Sequence, residues 1–293
     1  MRIVRTISEL RAVLKALREH GSRIGFVPTM GFLHEGHAAL IRQSTARCDH
    51  TVVSVFVNPT QFGPTEDLSR YPRDLERDQA LSLKLGVSVL FLPEPSEVYP
   101  TGFCTFVEPG QLGEHLCGAH RPGHFRGVAT VVAKLFNMVQ PDLAFFGQKD
   151  LQQTVIIRRI VRDLNLPVDI VVAPTVRESD GLALSSRNAY LEPIDRKRAL
   201  GLSRALFAAE TEFQNGERRP ERLLAKAREH LGEVDLQYLE IVDTQTLEPV
   251  DRNIVRISAI CVAAIVGKTR LIDNVLLAPD PDTAQFTSHL EPV

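Results

Sequence analysis

The apolar run Ile24-Gly25-Phe26-Val27 leads directly into Pro28-Thr29-Met30-Gly31-Phe32-Leu33-His34-Glu35-Gly36-His37, and this junction constrains the fold more than any other stretch. A buried strand that breaks at a glycine and restarts as a helix is a βα unit, and its turn is suited to holding a triphosphate. Gly31 and Gly36 let the backbone approach phosphate oxygens where a Cβ would collide. The new helix directs its free N–H groups and its positive dipole end at the same point. His34 and His37, three residues apart, share a helical face and can donate hydrogen bonds to phosphate. A zinc site fits less well, because two histidines are half a site and no nearby Cys or carboxylate trio completes it. His37, deeper in the helix start, is the candidate for stabilising charge as a phosphate leaves.

The rest of the chain repeats the strand–helix alternation. Apolar, β-branched runs at 23–28, 51–57, 87–92, 142–146 and 168–173 read as strands, with helical patterns near 36–47, 73–85, 126–140 and 149–164. The first helix is marked by the capping box Thr6-x-x-Glu9, followed by Leu10, Val13, Leu14 and Leu17, and Gly21 ends it. Strands that are apolar on both faces and alternate with helices predict a parallel sheet covered on both sides. From about residue 176 the order becomes helices (195–213, 219–231) and then strands (235–243, 255–266, 270–277). The expected architecture is α/β. A Rossmann-like, doubly wound parallel sheet spans 1–175, and a smaller C-terminal α+β domain spans 176–293, with a disordered tail from Ala278.

Further polar clusters fall just after strands, where such sheets bind ligands. Asn58-Pro59-Thr60-Gln61-Phe62-Gly63 places two neutral amides, Asn58 and Gln61, where they can orient a small polar substrate without adding negative charge, although Asn-Pro is also a frequent turn former. The polar loop from Pro64 to Pro72 has the composition of a lid or of an ordinary surface loop. Arg121-Pro122-Gly123-His124 offers Arg121 and His124 to a carboxylate or an amine-bearing substrate, and Lys134 on the following helix suits a buried face only if it reaches an anion. Gly147-Gln148-Lys149-Asp150 puts a point charge at a helix start, and Gln152 and Gln153 follow. Leu184-Ser185-Ser186-Arg187 supplies two hydroxyls and a guanidinium, a clamp for β- and γ-phosphates.

Composition excludes several function classes. With 34 basic against 36 acidic residues the chain has no general grip on nucleic acid. No run of eighteen apolar residues predicts a membrane span. Charged Arg11, Lys15 and Arg18 break any secretory apolar stretch, so a cytoplasmic protein is expected. Cys48, Cys104, Cys117 and Cys261 show neither C-x-x-C nor metal-finger spacing and read as reduced, mostly buried thiols. The G-x-S-x-G elbow and the Walker pattern are both absent, and no cysteine sits in an activated context. Chemistry is therefore expected to rest on placement and charge stabilisation, without a covalent enzyme intermediate.

Taken together and in order, these five clusters closely resemble the pantoate–β-alanine ligase family, within the nucleotidyltransferases marked by an H-x-G-H turn, here His34-Glu35-Gly36-His37. The resemblance runs from about residue 1 to 277. It implies that pantoate is activated by ATP as an acyl adenylate with loss of pyrophosphate, and that the amine of β-alanine then displaces AMP. It also implies roles by position. Met30, Gly31, His34 and His37 hold ATP together with Gly147, Lys149 and Asp150. Val176 lies at the adenine, and Leu184, Ser185, Ser186 and Arg187 clamp the triphosphate. Gln61 and Gln153, helped by Asn58, bind pantoate, while Arg121 and His124 meet β-alanine or its entry path. Mg²⁺ is implied as the cofactor, with Asp78 as its protein contact, and the assembly as a homodimer. Leu184 stands where many relatives have Met, and Gln148 where they have Glu; neither is expected to change the reaction. Other readings fit parts of the pattern: nucleotide transfer onto a phosphate, a non-catalytic nucleotide sensor, or an aminoacyl-tRNA synthetase, against which the balanced charge and the lack of an anticodon-binding module argue.

Overall fold

The computed structural model describes residues 1–19, 21–64 and 66–279. In chain order its elements are β1 (Arg2–Val4), α1 (Ile7–Arg18), β2 (Ile24–Thr29), α2 (Glu35–Arg47), β3 (His50–Val55), α3 (Leu75–Lys84), β4 (Val89–Phe91), α4 (Pro95–Val98), α5 (Cys117–His120), α6 (His124–Val139), β5 (Leu143–Gly147), α7 (Leu151–Asp163) and β6 (Asp169–Ala173). They are followed by α8 (Pro193–Gln214), α9 (Pro220–Arg228), β7 (Asp235–Asp243), β8 (Ser258–Val266) and β9 (Thr269–Leu277). Residues 280–293, which hold most of the tail expected to be disordered, lie outside the described residues.

Strands β1 to β6 form one parallel sheet in the order β1-β4-β3-β2-β5-β6. Their uninterrupted apolar character follows from the pleat, because neighbouring residues serve opposite cores. Phe26, Val52, Phe91 and Phe146 pack on the side of α1, α6 and α7. Val27, Val53, Leu90 and Phe145, one step along, pack with Leu40 and Ile41 of α2. The capping box at Thr6 forms as read, with Glu9 N donating to Thr6 Oγ1 at 3.2 Å and Thr6 N to Glu9 Oε2 at 3.1 Å. Strand β1 was not anticipated: three residues pairing Arg2 with Val89 are too short to show a pattern.

From β2 the chain moves through β3 and β4 to one side, and β5 and β6 are added on the other. The order reverses at β2 and β5, so the loops after these strands part and leave a crevice at their carboxyl ends. His34 follows one of them and Lys149 the other.

The antiparallel sheet β7-β8-β9 is covered on both faces. Ile260, Val262 and Ala264 join Leu202, Leu206 and Leu223 of α8 and α9. Tyr238, Cys261 and Ala263 instead join the core of the first layer, beside Cys117. All four cysteines are free: Cys117 and Cys261 are buried, Cys48 is half-buried and Cys104 is exposed, so burial holds for two and not for most. Among the described residues no helix is long and apolar enough to cross a membrane.

Candidate active site

The turn after β2 is built by two consecutive left-handed residues, Gly31 at φ +85° and Phe32 at φ +50°. A Cβ on Gly31 would lie 2.8 Å from Val55 Cγ1, so the position admits only glycine on both conformational and steric grounds. The bent backbone turns the N–H groups of Phe32 and Leu33 inward onto the Asp78 carboxylate, at 2.8 and 2.6 Å. Asp78, on α3, is buried and accepts through both oxygens, and burial pushes its carboxyl above the usual range. Asp78 thereby braces the histidine turn and is not among the residues that line the cleft, which speaks against the expected metal contact.

His34 caps α2. Its Nδ1 accepts from Gly36 N at 3.1 Å, and His37 Nδ1 accepts from His34 N at 3.3 Å. In each ring one nitrogen is thereby committed as an acceptor, which leaves the proton on Nε2. The rings lie 4.1 Å apart between centroids. Burial lowers His34 to about 4 and His37 to about 3, with the cationic Lys149 reinforcing both. At neutral pH they are two uncharged N–H donors on one wall of the cleft. Gly36 lines the same cleft and also makes room for a neighbour. A Cβ there would sit 2.9 Å from His34 Cε1, so the missing side chain seats the imidazole.

The amides of the second cluster are unequal. Asn58 is buried; its Nδ2 donates to Gln61 Oε1 (3.0 Å) and Gly127 O (3.1 Å), and its Oδ1 accepts from Thr60 Oγ1 (2.9 Å) and Tyr99 OH (2.8 Å). With those bonds made it has no polar atom left for a ligand, and it fixes Gln61 with Nε2 toward Met30 Sδ and the cleft. Gln153 also lines the cleft, and its amide bonds to no described residue. Gln152 is buried and holds the 112–117 segment through Cys117 N, Leu112 O and His115 O.

Both arginines of the site are held by one loop. Arg121 Nε and Nη2 meet Glu66 Oε1 and Oε2 at 2.7 and 2.6 Å. Arg187 Nε and Nη2 meet Asp67 Oδ2 and Oδ1 at 2.9 and 2.8 Å. Burial alone would raise these carboxyls, but the guanidiniums outweigh it and hold both below their usual range. His124 is half-buried, with Nδ1 against Gln61 O at 2.8 Å and Nε2 against Arg121 Nη1 at 3.0 Å. Burial, with Arg121 adding to it, lowers His124 to about 4. The described part of the 64–72 loop is therefore docked, with Tyr71 buried beneath Arg187. Glu66 and Asp67 carried no signal in the sequence, since ion pairs spanning 55 and 120 residues leave none. Among the described residues Lys134 reaches no anion; its ammonium lies over Phe103 at 4.6 Å.

The remaining residues converge on the same cleft: Gly147, Lys149 and Asp150 after β5, then Val176, Leu184, Ser185, Ser186 and Arg187 from the opposite bank. Lys149 Nζ lies 3.6 Å from Asp150 Oδ1. Ser185 Oγ accepts from Arg187 N at 3.2 Å, capping the turn that carries the guanidinium. Val176 O accepts from Leu184 N at 3.0 Å, closing the hairpin that brings both apolar side chains together. Cationic, neutral-donor and apolar surfaces thus line one crevice, which matches a nucleotide with an attached small acid.

A family model described as pantoate-beta-alanine ligase matches residues 2–276. The chain is 61% identical to pantothenate synthetase 1 of Bradyrhizobium diazoefficiens over 282 residues, covering 96% of this chain and all of the relative. A crystal structure of the pantothenate synthetase of Thermus thermophilus superposes with TM-score 0.90 at 50% identity, over 95% of this chain and all of that one. The ligase from Francisella tularensis, solved in complex with beta-gamma ATP and beta-alanine, gives TM-score 0.77 at 35% identity, over 96% and 100%.

Proposed function

Because the chain belongs to the pantoate-beta-alanine ligase family, it is a carbon–nitrogen ligase joining pantoate to β-alanine with ATP, and we propose that the crevice between β2 and β5 is where it does so. The pantoate carboxylate attacks the α-phosphorus of ATP, the bond to the bridging oxygen breaks, and pyrophosphate leaves. The β-alanine amine then attacks the acyl carbon of the adenylate, and AMP departs with the electron pair.

His34 and His37 donate Nε2–H to the phosphates, and Lys149, Ser185, Ser186 and Arg187 meet the charge that develops toward pyrophosphate. The observation that carries this reading is the pair of half-buried, neutral imidazoles, each with Nδ1 already occupied. Donors fixed beforehand need no reorganisation as charge moves. Met30, Gly31 and Gly147 supply backbone walls, Asp150 the ribose contact, and Val176 and Leu184 an apolar slot for adenine. Gln61 and Gln153 hold pantoate, with Asn58 fixing Gln61. Arg121 takes the β-alanine carboxylate by exchanging it for Glu66, with His124 holding Arg121 in place. The division at 175/176, a homodimer and a cytoplasmic location belong to the same proposal, on the strength of the family.

Family members use a divalent metal. Among the described residues no group of three or more His, Cys, Asp or Glu side chains converges to hold one, and both Asp78 oxygens already accept backbone N–H groups. This donor set fits Mg²⁺ that arrives on the nucleotide, bound mainly by phosphate oxygens and water. When bound, it neutralises phosphate charge.

The test is exchange of labelled pyrophosphate into ATP. It should require pantoate and proceed without β-alanine, and AMP should appear once the amine is added. Exchange that is indifferent to pantoate would remove the adenylate from the scheme.

A further inference from the structure

Strand β9 touches the nucleotide wall at two consecutive buried residues. Side chains alternate along a strand, so Asp273 and Asn274 grip different parts of the cleft. Asp273 holds Arg177 in a two-point pair, Oδ2 to Nη1 at 2.6 Å and Oδ1 to Nη2 at 3.0 Å, one residue beyond Val176. Asn274 Nδ2 donates to the carbonyl oxygens of Gln148 and Lys149, at 3.0 Å each, and Oδ1 accepts from Gln148 Nε2 at 3.3 Å. Those carbonyls belong to the single turn Gln148–Asp150, which presents Lys149 to the cleft. Neither that turn nor the start of α7 has a side-chain cap of its own.

We propose that Asn274 is a positioning residue for Lys149. Its amide fixes two successive peptide planes and with them the direction in which the lysine leaves the backbone. The requirement is specific to an amide, since two carbonyl acceptors need a group with two hydrogens to donate. Both bonds span more than 120 residues, so docking of the small sheet and placement of the phosphate-binding ammonium are one event. The inference rests on the phosphate role given to Lys149 above.

The experiment measures pyrophosphate exchange and thermal unfolding for Asn274→Ala, Asn274→Asp, Lys149→Ala and the double variant Lys149→Ala/Asn274→Ala. Asn274→Ala should lower the exchange rate by about ten-fold or more, because small misplacements of a charge-stabilising group are costly. KM for ATP should rise and KM for pantoate should hold. Asn274→Asp keeps the shape but loses the donors, so it should be impaired at least as much. In the Lys149→Ala background, loss of the Asn274 amide should change exchange by less than about two-fold, because the two act as a unit. Losses that multiply in the double variant would overturn the proposal. So would an Asp variant near wild type beside a damaged Ala variant, which would mark a packing role. Wild-type exchange in Lys149→Ala alone would instead remove the phosphate role of the lysine.

Discussion

His34 and His37 show what a residue pattern conveys and what it leaves out. Their spacing was legible as two donors on one helical face, but the ring nitrogen left for the ligand was not. That is fixed by the N–H groups of Gly36 and His34, whose direction depends on the bend at Gly31 and Phe32. Replacing His37 by Ala should lower turnover by about two orders of magnitude or more, as loss of a preorganised donor typically does. Steady-state AMP release would measure it, and near-normal turnover would end the role assigned to His37. Burial of neutral imidazoles also affects stability. Unfolded, His34, His37 and His124 take up protons near 6.5; folded, they do so only near 4, 3 and 4. The unfolded chain binds more protons across that window, so their contribution is intact above about pH 6.5 and declines as pH falls toward 4. Melting temperature against pH should fall less steeply for His37→Asn than for wild type, and equal slopes would refute the assignment.

Among the elements, the strands of the first sheet were readable because a parallel sheet needs apolar residues on both faces, as Phe26 and Val27 illustrate by entering opposite cores. The histidine turn was readable only in part. Gly31 announced a break in the strand, but not that the bend would be left-handed at two successive residues, nor that Asp78, arriving on α3 forty-five residues later, would hold the next two N–H groups. Removing that carboxylate leaves one buried and one part-buried donor without partners, each costing about 1–3 kcal/mol. Asp78→Ala should therefore lose about 3 kcal/mol in urea unfolding and turn over slowly because His34 is no longer seated. A variant with wild-type stability but no activity would return Asp78 to a direct role with metal or substrate.

At the scale of the molecule, the succession of helices and then strands after residue 176 indicated a second, smaller unit, yet not that its sheet would be buried on both faces. Tyr238 and Cys261 look toward the first layer while Ile260 and Val262 look away, an arrangement that an apolar run on β8 permits without specifying. The long-range polar links, Asn274 to the 148–150 turn and the 66–67 carboxylates to Arg121 and Arg187, were beyond a reading by motif. The last of these has a bearing on selectivity. An enzyme whose guanidiniums stood bare would collect stray sulfate, phosphate and citrate from its surroundings. Here each is already neutralised by a neighbour tethered to the same chain, so a newcomer must outcompete a carboxylate present at very high local concentration. A lone inorganic anion gains little from that exchange; a substrate anchored at a second point, the nucleotide by its base and sugar at Arg187 or β-alanine by its amine at Arg121, can displace the incumbent.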